Sequence, residues 1–160
     1  MQNIYSYNIN IPFESITMPE IDVEALLRED EINIGPGIPM RYAQELDIDY
    51  NIHSSGTWEK TVDGGEIWQI QFSSEGAYAI SIEYEDFFIP EGGQLFVMTP
   101  DFEMVHGAYT YLNNNPSRRF STPHLNGDTV IIEYYQPAGV IEEFSLIITK
   151  IIHDYRDIMN

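Results

Sequence analysis

The pattern of apolar and polar positions changes once along the chain, near residue 40. Before that point Ile21, Ala25, Leu26 and Ile32 fall near helical spacing, which predicts one helix over about residues 19–31. Thr17 and Glu20 have the spacing of a capping box, and Pro19 suits a first helical turn. Gly35, Pro36, Gly37 and Pro39 then end the helix and make a loop. From Leu46 onward the period shortens to two. In residues 66–72, Trp68, Ile70 and Phe72 fall on one side and Gln69 and Gln71 on the other, and Asp63-Gly64-Gly65 supplies a hairpin turn from a strand around Trp58. Tyr78, Ile80, Ile82 and Tyr84 alternate with Ala77, Ala79, Ser81 and Glu83 in the same way. Residues 94–99, 129–135 and 144–153 add three runs of apolar, β-branched and aromatic residues. Turn clusters at 90–93, 113–116, 126–128 and 137–139 separate them. Short strands with turn residues and no helices between them predict an all-β fold. The expected form is an antiparallel, jelly-roll-like β-sandwich with a short amino-terminal helix. Residues 1–40 read as an extension carrying the helix and the Gly/Pro linker, and residues 41–160 as the sandwich.

Charge narrows the choice of partners. The 160 residues carry 26 Asp and Glu against 7 Lys and Arg, a net charge of -19 at pH 7. That field repels phosphate, so nucleic acid and anionic membrane surfaces are not expected as partners, whereas basic proteins and metal cations are compatible with it. The absence of cysteine excludes disulfides, thiol catalysis and thiolate metal sites. Residues 1–10 have neither a basic start nor an apolar run, so they read as neither signal peptide nor membrane anchor. The chain is then cytoplasmic, or secreted with its leader absent.

Candidate chemistry is sparse. Ser54, Ser55, Ser73, Ser74 and Ser121 lie in turn-like segments, and no Gly-x-Ser-x-Gly elbow occurs, so a hydrolytic triad is not expected. His53, His106, His124 and His153 are far apart and none has zinc-ligand spacing. Asp47 with Asp49, or Glu83 with Glu85 and Asp86, could offer oxygens to calcium, although no EF-hand pattern is present. The alternative for these acids is an exposed strand edge that resists aggregation. Of the aromatic residues, Trp68 fits the core, whereas Tyr109 and Tyr111, beside Asn113, Asn114 and Asn115, form a candidate ligand face. A strand running into a polar loop explains that pair equally simply.

From Arg41 to Arg156 the order of features resembles the amino-terminal pro-region of secreted lysyl-endopeptidase-type, trypsin-like bacterial serine proteases. The residues that carry the resemblance begin with Ser55-Gly56-Thr57-Trp58-Glu59 followed by Trp68, then Phe88-Ile89-Pro90-Glu91-Gly92-Gly93-Gln94-Leu95-Phe96 and Gly107-Ala108-Tyr109-Thr110. Leu125-Asn126-Gly127-Asp128, Ile132-Glu133-Tyr134-Tyr135, Pro137-Ala138-Gly139 and Ile152-His153-Asp154-Tyr155-Arg156 complete the series. The resemblance implies a secreted or periplasmic, non-catalytic pro-domain that assists folding of a downstream peptidase of the same precursor or keeps it inactive. It implies no catalytic residue and no cofactor in this chain. Within that reading the carboxy-terminal end faces the peptidase, with His153, Tyr155 and Arg156 as peptidase-facing or processing residues and residues 150–160 running toward its cleft. An extracellular carbohydrate- or calcium-dependent recognition module is the alternative.

Overall fold

The computed structural model describes residues 13–158; the reading of residues 1–10 lies outside them. Among the described residues ten strands form two sheets, with strands β1 (Ser15–Thr17), β2 (Ala43–Asn51), β3 (Thr57–Lys60), β4 (Glu66–Ser73) and β5 (Ala79–Phe88) in the first half of the chain. Strands β6 (Gln94–Met98), β7 (Val105–Tyr109), β8 (Phe120–Asn126), β9 (Thr129–Gln136) and β10 (Ser145–Asp154) follow, and one helix, α1 (Val23–Ile32), lies between β1 and β2. One sheet runs β1-β4-β9-β6-β7 with β3 also on β4, and the other runs β2-β10-β5-β8. Except for the parallel pair β1 and β4, the pairings are antiparallel. The path β4-β9-β6-β7 facing β2-β10-β5-β8 is a jelly-roll order, in which the chain crosses between the sheets at each step except β3 to β4 and β6 to β7.

Alternation puts Trp68, Ile70 and Phe72 of β4 against Ile80, Ile82 and Tyr84 of β5 and Ile148 and Ile151 of β10 in one core. Aromatic contacts knit it together: Tyr134 stacks on Phe144 with ring centres 3.6 Å apart, and Trp68 meets Phe144 edge-on at 6.3 Å. Pairs of this kind contribute about 0.5–1.5 kcal/mol beyond the area they bury. The buried indole nitrogen of Trp68 donates to the Ser55 carbonyl at 2.9 Å, so its polar atom is satisfied. Gly56 is needed beside it. Its φ is +79°, and a Cβ there would lie 2.2 Å from the Trp68 indole nitrogen.

The amino-terminal region differs in two details from the sequence expectation. Thr17 does not cap the helix, because it pairs with Ser73 as the end of β1; the cap is Asp22, whose Oδ1 accepts the Ala25 N–H at 3.0 Å. The helix accordingly starts at Val23 rather than Pro19. Within residues 1–40, β1 and the buried Met18 belong to the sandwich, whereas α1 and its Gly/Pro loop lie outside its core. β8 also escapes a simple alternation reading, since Pro123 interrupts it; the strand tolerates proline because it is a sheet edge.

Candidate functional site at the carboxy-terminal end

Helix α1 cannot hold its own carboxyl end. Glu29, Asp30 and Glu31 occupy its last turn without a basic residue, where the helix dipole already disfavours negative charge. The neutralising cations arrive from elsewhere. The Arg41 guanidinium lies 2.8 Å from Asp30 Oδ1 and 3.0 Å from Glu29 Oε2, and Arg156 Nη2 lies 3.0 Å from Asp30 Oδ2. The Tyr155 hydroxyl donates to Asp30 Oδ2 at 2.7 Å, and Arg156 Nε donates to the Arg41 carbonyl at 3.1 Å. The Tyr155 hydroxyl, then Arg156 and Arg41, hold the Asp30 carboxyl below the usual carboxylate range against the opposing effect of desolvation. Asp30 is thus the point where α1, the start of β2 and the tail after β10 meet.

Beside this cluster a groove of about 950 Å³ opens between α1, the Gly/Pro loop and the tail. Leu27, Ile34, Ile38 and Met40 give it apolar walls, and Asp30 and Arg156 line one side. The loop residues are unusually bare for their size: Ile34 is 78% and Met40 69% exposed. Exposed apolar groups gathered around a concavity and rimmed by charge are the usual composition of a protein-docking surface.

The residues anticipated as facing a peptidase separate into different environments. His153 is fully buried, with Nδ1 2.6 Å from Ser74 Oγ, and burial lowers its pKa. Tyr155 is 4% exposed and ties the tail to α1. Arg156 keeps about a third of its side chain at the surface, on the groove. Asp154 turns to the opposite side of β10 from His153, where its Oδ2 lies 2.9 Å from His124 Nδ1 without hydrogen-bond alignment. Burial raises its pKa, and His124 opposes that rise. Ser74, His153 and Asp154 therefore do not line up as a nucleophile, base and orienting acid.

The pair Tyr109 and Tyr111 also diverges. Tyr109 packs edge-on against Phe120 with ring centres 5.0 Å apart, while Tyr111 is 45% exposed in the one-turn 3-10 helix Tyr111–Asn113. The carboxylates considered for calcium lie largely on the outer face of the β2-β10-β5-β8 sheet. There Lys150 sits 2.6 Å from Glu45, with Asp47 and Glu83 also raising its pKa, and Arg118 lies 2.8 Å from Asp86. Protein cations thus answer Glu45 and Asp86, while Asp47, Asp49 and Glu85 stay exposed on the strand surface. Among the described residues no three His, Asp or Glu side chains converge as a metal-binding group, and no helix is long and apolar enough to cross a membrane.

The Asp30 cluster and the groove had only a partial signal in the sequence. Three acids ending a helix with no basic residue in the last turn indicate a missing cation, but nothing local says that Arg41 and Arg156 supply it. No protein-family model matches the chain, and no solved structure matches it significantly. What the fold defines is an acidic jelly-roll sandwich with an apolar groove at the end where its last strand leaves.

Proposed function

We propose that this protein is the non-catalytic pro-domain of a secreted, trypsin-like serine protease, which it helps to fold or keeps inactive by docking on it. The observation that carries the reading is the shared location of the tail and the groove. Exposed Ile34, Ile38 and Met40 surround the same concavity that Arg156 enters immediately after the last strand. A tether at that end gives a modest apolar interface a high effective concentration on a domain joined to it. The negative field of the chain favours a basic partner surface and speeds the encounter.

The test adds the intact chain in trans to the peptidase of the same precursor, measuring turnover and the yield of refolding at low and high salt. Slowed turnover or improved refolding is expected. The double variant Ile34→Asp with Met40→Asp should weaken that effect at least tenfold while leaving the melting temperature unchanged. No binding, no inhibition and no folding assistance by the wild-type chain would defeat the proposal. Binding to a glycan array or to calcium without any effect on the peptidase would favour a recognition module instead.

A further inference from the structure

The tail after β10 holds a basic residue in a way that a protease substrate is not held. Arg156 Nη2 lies 3.0 Å from Asp30 Oδ2, its Nε donates to the Arg41 carbonyl at 3.1 Å, and its guanidinium carbon lies 5.8 Å from the ring centre of Tyr155. Its own carbonyl accepts the Ile158 N–H at 3.1 Å, which turns the backbone back on itself across Asp157. An arginine-cleaving endopeptidase requires the reverse arrangement: a guanidinium free to enter an acidic pocket and an extended backbone through the bond to be cut. Asp157 and Ile158 are exposed. The peptide bond is consequently at the surface, and the side chain and the turn withhold it.

We infer that the Arg156–Asp157 bond is a latched processing site for a trypsin-like serine endopeptidase, kept closed by Asp30 of α1. Cleavage there is simple hydrolysis: water adds across the amide, leaving the carboxylate on Arg156 and the new amine on Asp157. The acidic pocket of such an enzyme competes with Asp30 for one guanidinium, so the enzyme gains access only when the tail separates from α1. Asp30 also lines the groove together with Leu27 and Glu31. An occupant that draws α1 away from the tail therefore opens the site, which couples docking to processing. The latch belongs to this chain alone; its use as a control on release of a peptidase rests on the function proposed above.

The test is limited proteolysis of the full chain by trypsin under native conditions, with products assigned by mass. Asp30→Asn should speed cleavage after residue 156 at least tenfold relative to wild type. Cleavage after the exposed Arg118 and Arg119 serves as the internal reference and should be unchanged. The acidic Asp157 slows trypsin equally in every variant and cancels in the ratio. Arg156→Lys supplies a second arm that leaves α1 intact. Lysine is still cleaved by trypsin but has no planar fork to span Asp30 and the Arg41 carbonyl, so cleavage after residue 156 should again accelerate. Equal rates after residue 156 in all three proteins would overturn the latch. So would an acceleration matched in both variants at residues 118 and 119, which reports general loosening. Neither result bears on inhibition in trans by the groove, so failure here is distinguishable from failure of the pro-domain reading.

Discussion

The outer face of the β4-β9 sheet and the junction between α1 and the tail each place one carboxylate among neighbours, with opposite electrostatic results. Glu133, on β9, is 1% exposed; Gln69 Nε2 donates to its Oε1 at 2.7 Å, but its Oε2 has no hydrogen-bond partner. Burial pushes its pKa up to about 7, against a smaller opposing effect of Gln69. Asp30 lies nearer the surface, its side chain 13% exposed, and its pKa moves down because a tyrosine hydroxyl and two guanidinium groups receive it. Glu133 is sealed with a single amide donor, so desolvation wins, whereas the shallower Asp30 meets a hydroxyl and two guanidinium groups, so its partners win.

The two regions should also differ in how they fail. The sandwich rests on packed aromatic side chains, so the largest effect is expected from Trp68→Ala, which removes the indole at the centre of the Ser55, Gly56 and Phe144 contacts. A loss of about 3–5 kcal/mol is expected from chemical denaturation. A loss below about 1 kcal/mol would mean that the core is not organised around this residue.

Next in size is Glu133→Gln. A raised carboxyl pKa favours the protonated folded form, so its contribution to stability is fully present below the unfolded value and is lost as pH rises through about 7. The neutral variant escapes that loss. It should exceed wild type by about 1–3 kcal/mol at pH 8 and match it near pH 4. A difference between the two proteins that does not change with pH would remove the burial argument.

Asp30→Asn should have the smallest global effect and the most local one. The Asp30 pKa is depressed, so its contribution is present above the unfolded value and is lost as pH falls through the folded one, opposite in sign to Glu133. Hydrogen exchange should quicken in α1 of the variant while the amides of β4 and β9 stay as protected as in wild type. Wild-type α1 should lose protection in strong acid, and the variant should show no such acid step. Equal exchange of α1 in both proteins at neutral pH would show that the helix does not depend on Asp30.

Much of the sandwich was legible because strand alternation is a local property. Trp68, Ile70 and Phe72 were assigned to one face by spacing alone, and all three are buried in the core. The same rule places His153 and Asp154 on opposite sides of β10, which argues against their acting together at one surface. Gly56 belongs to a run that carries the resemblance, but its need for glycine is set by a residue of another strand: Trp68 excludes a side chain there. Thr17 and Glu20 had the right spacing for a helix cap and the wrong surroundings, since strand pairing took Thr17 first.

Acidity, the lack of cysteine and an all-β pattern with one early helix are legible in composition and period alone, because neither needs knowledge of distant partners. Tertiary closure selected the order β2-β10-β5-β8 against β4-β9-β6-β7, because many pairings of amphipathic strands satisfy the same alternation. It also decided the fate of the acidic helix end. Asp30 meets Tyr155 across 125 positions and Arg156 across 126. Contacts over such separations leave no periodic trace in the chain; they form because closing the jelly roll brings its last strand back beside its first helix, where two arginines neutralise charge that the helix cannot neutralise for itself.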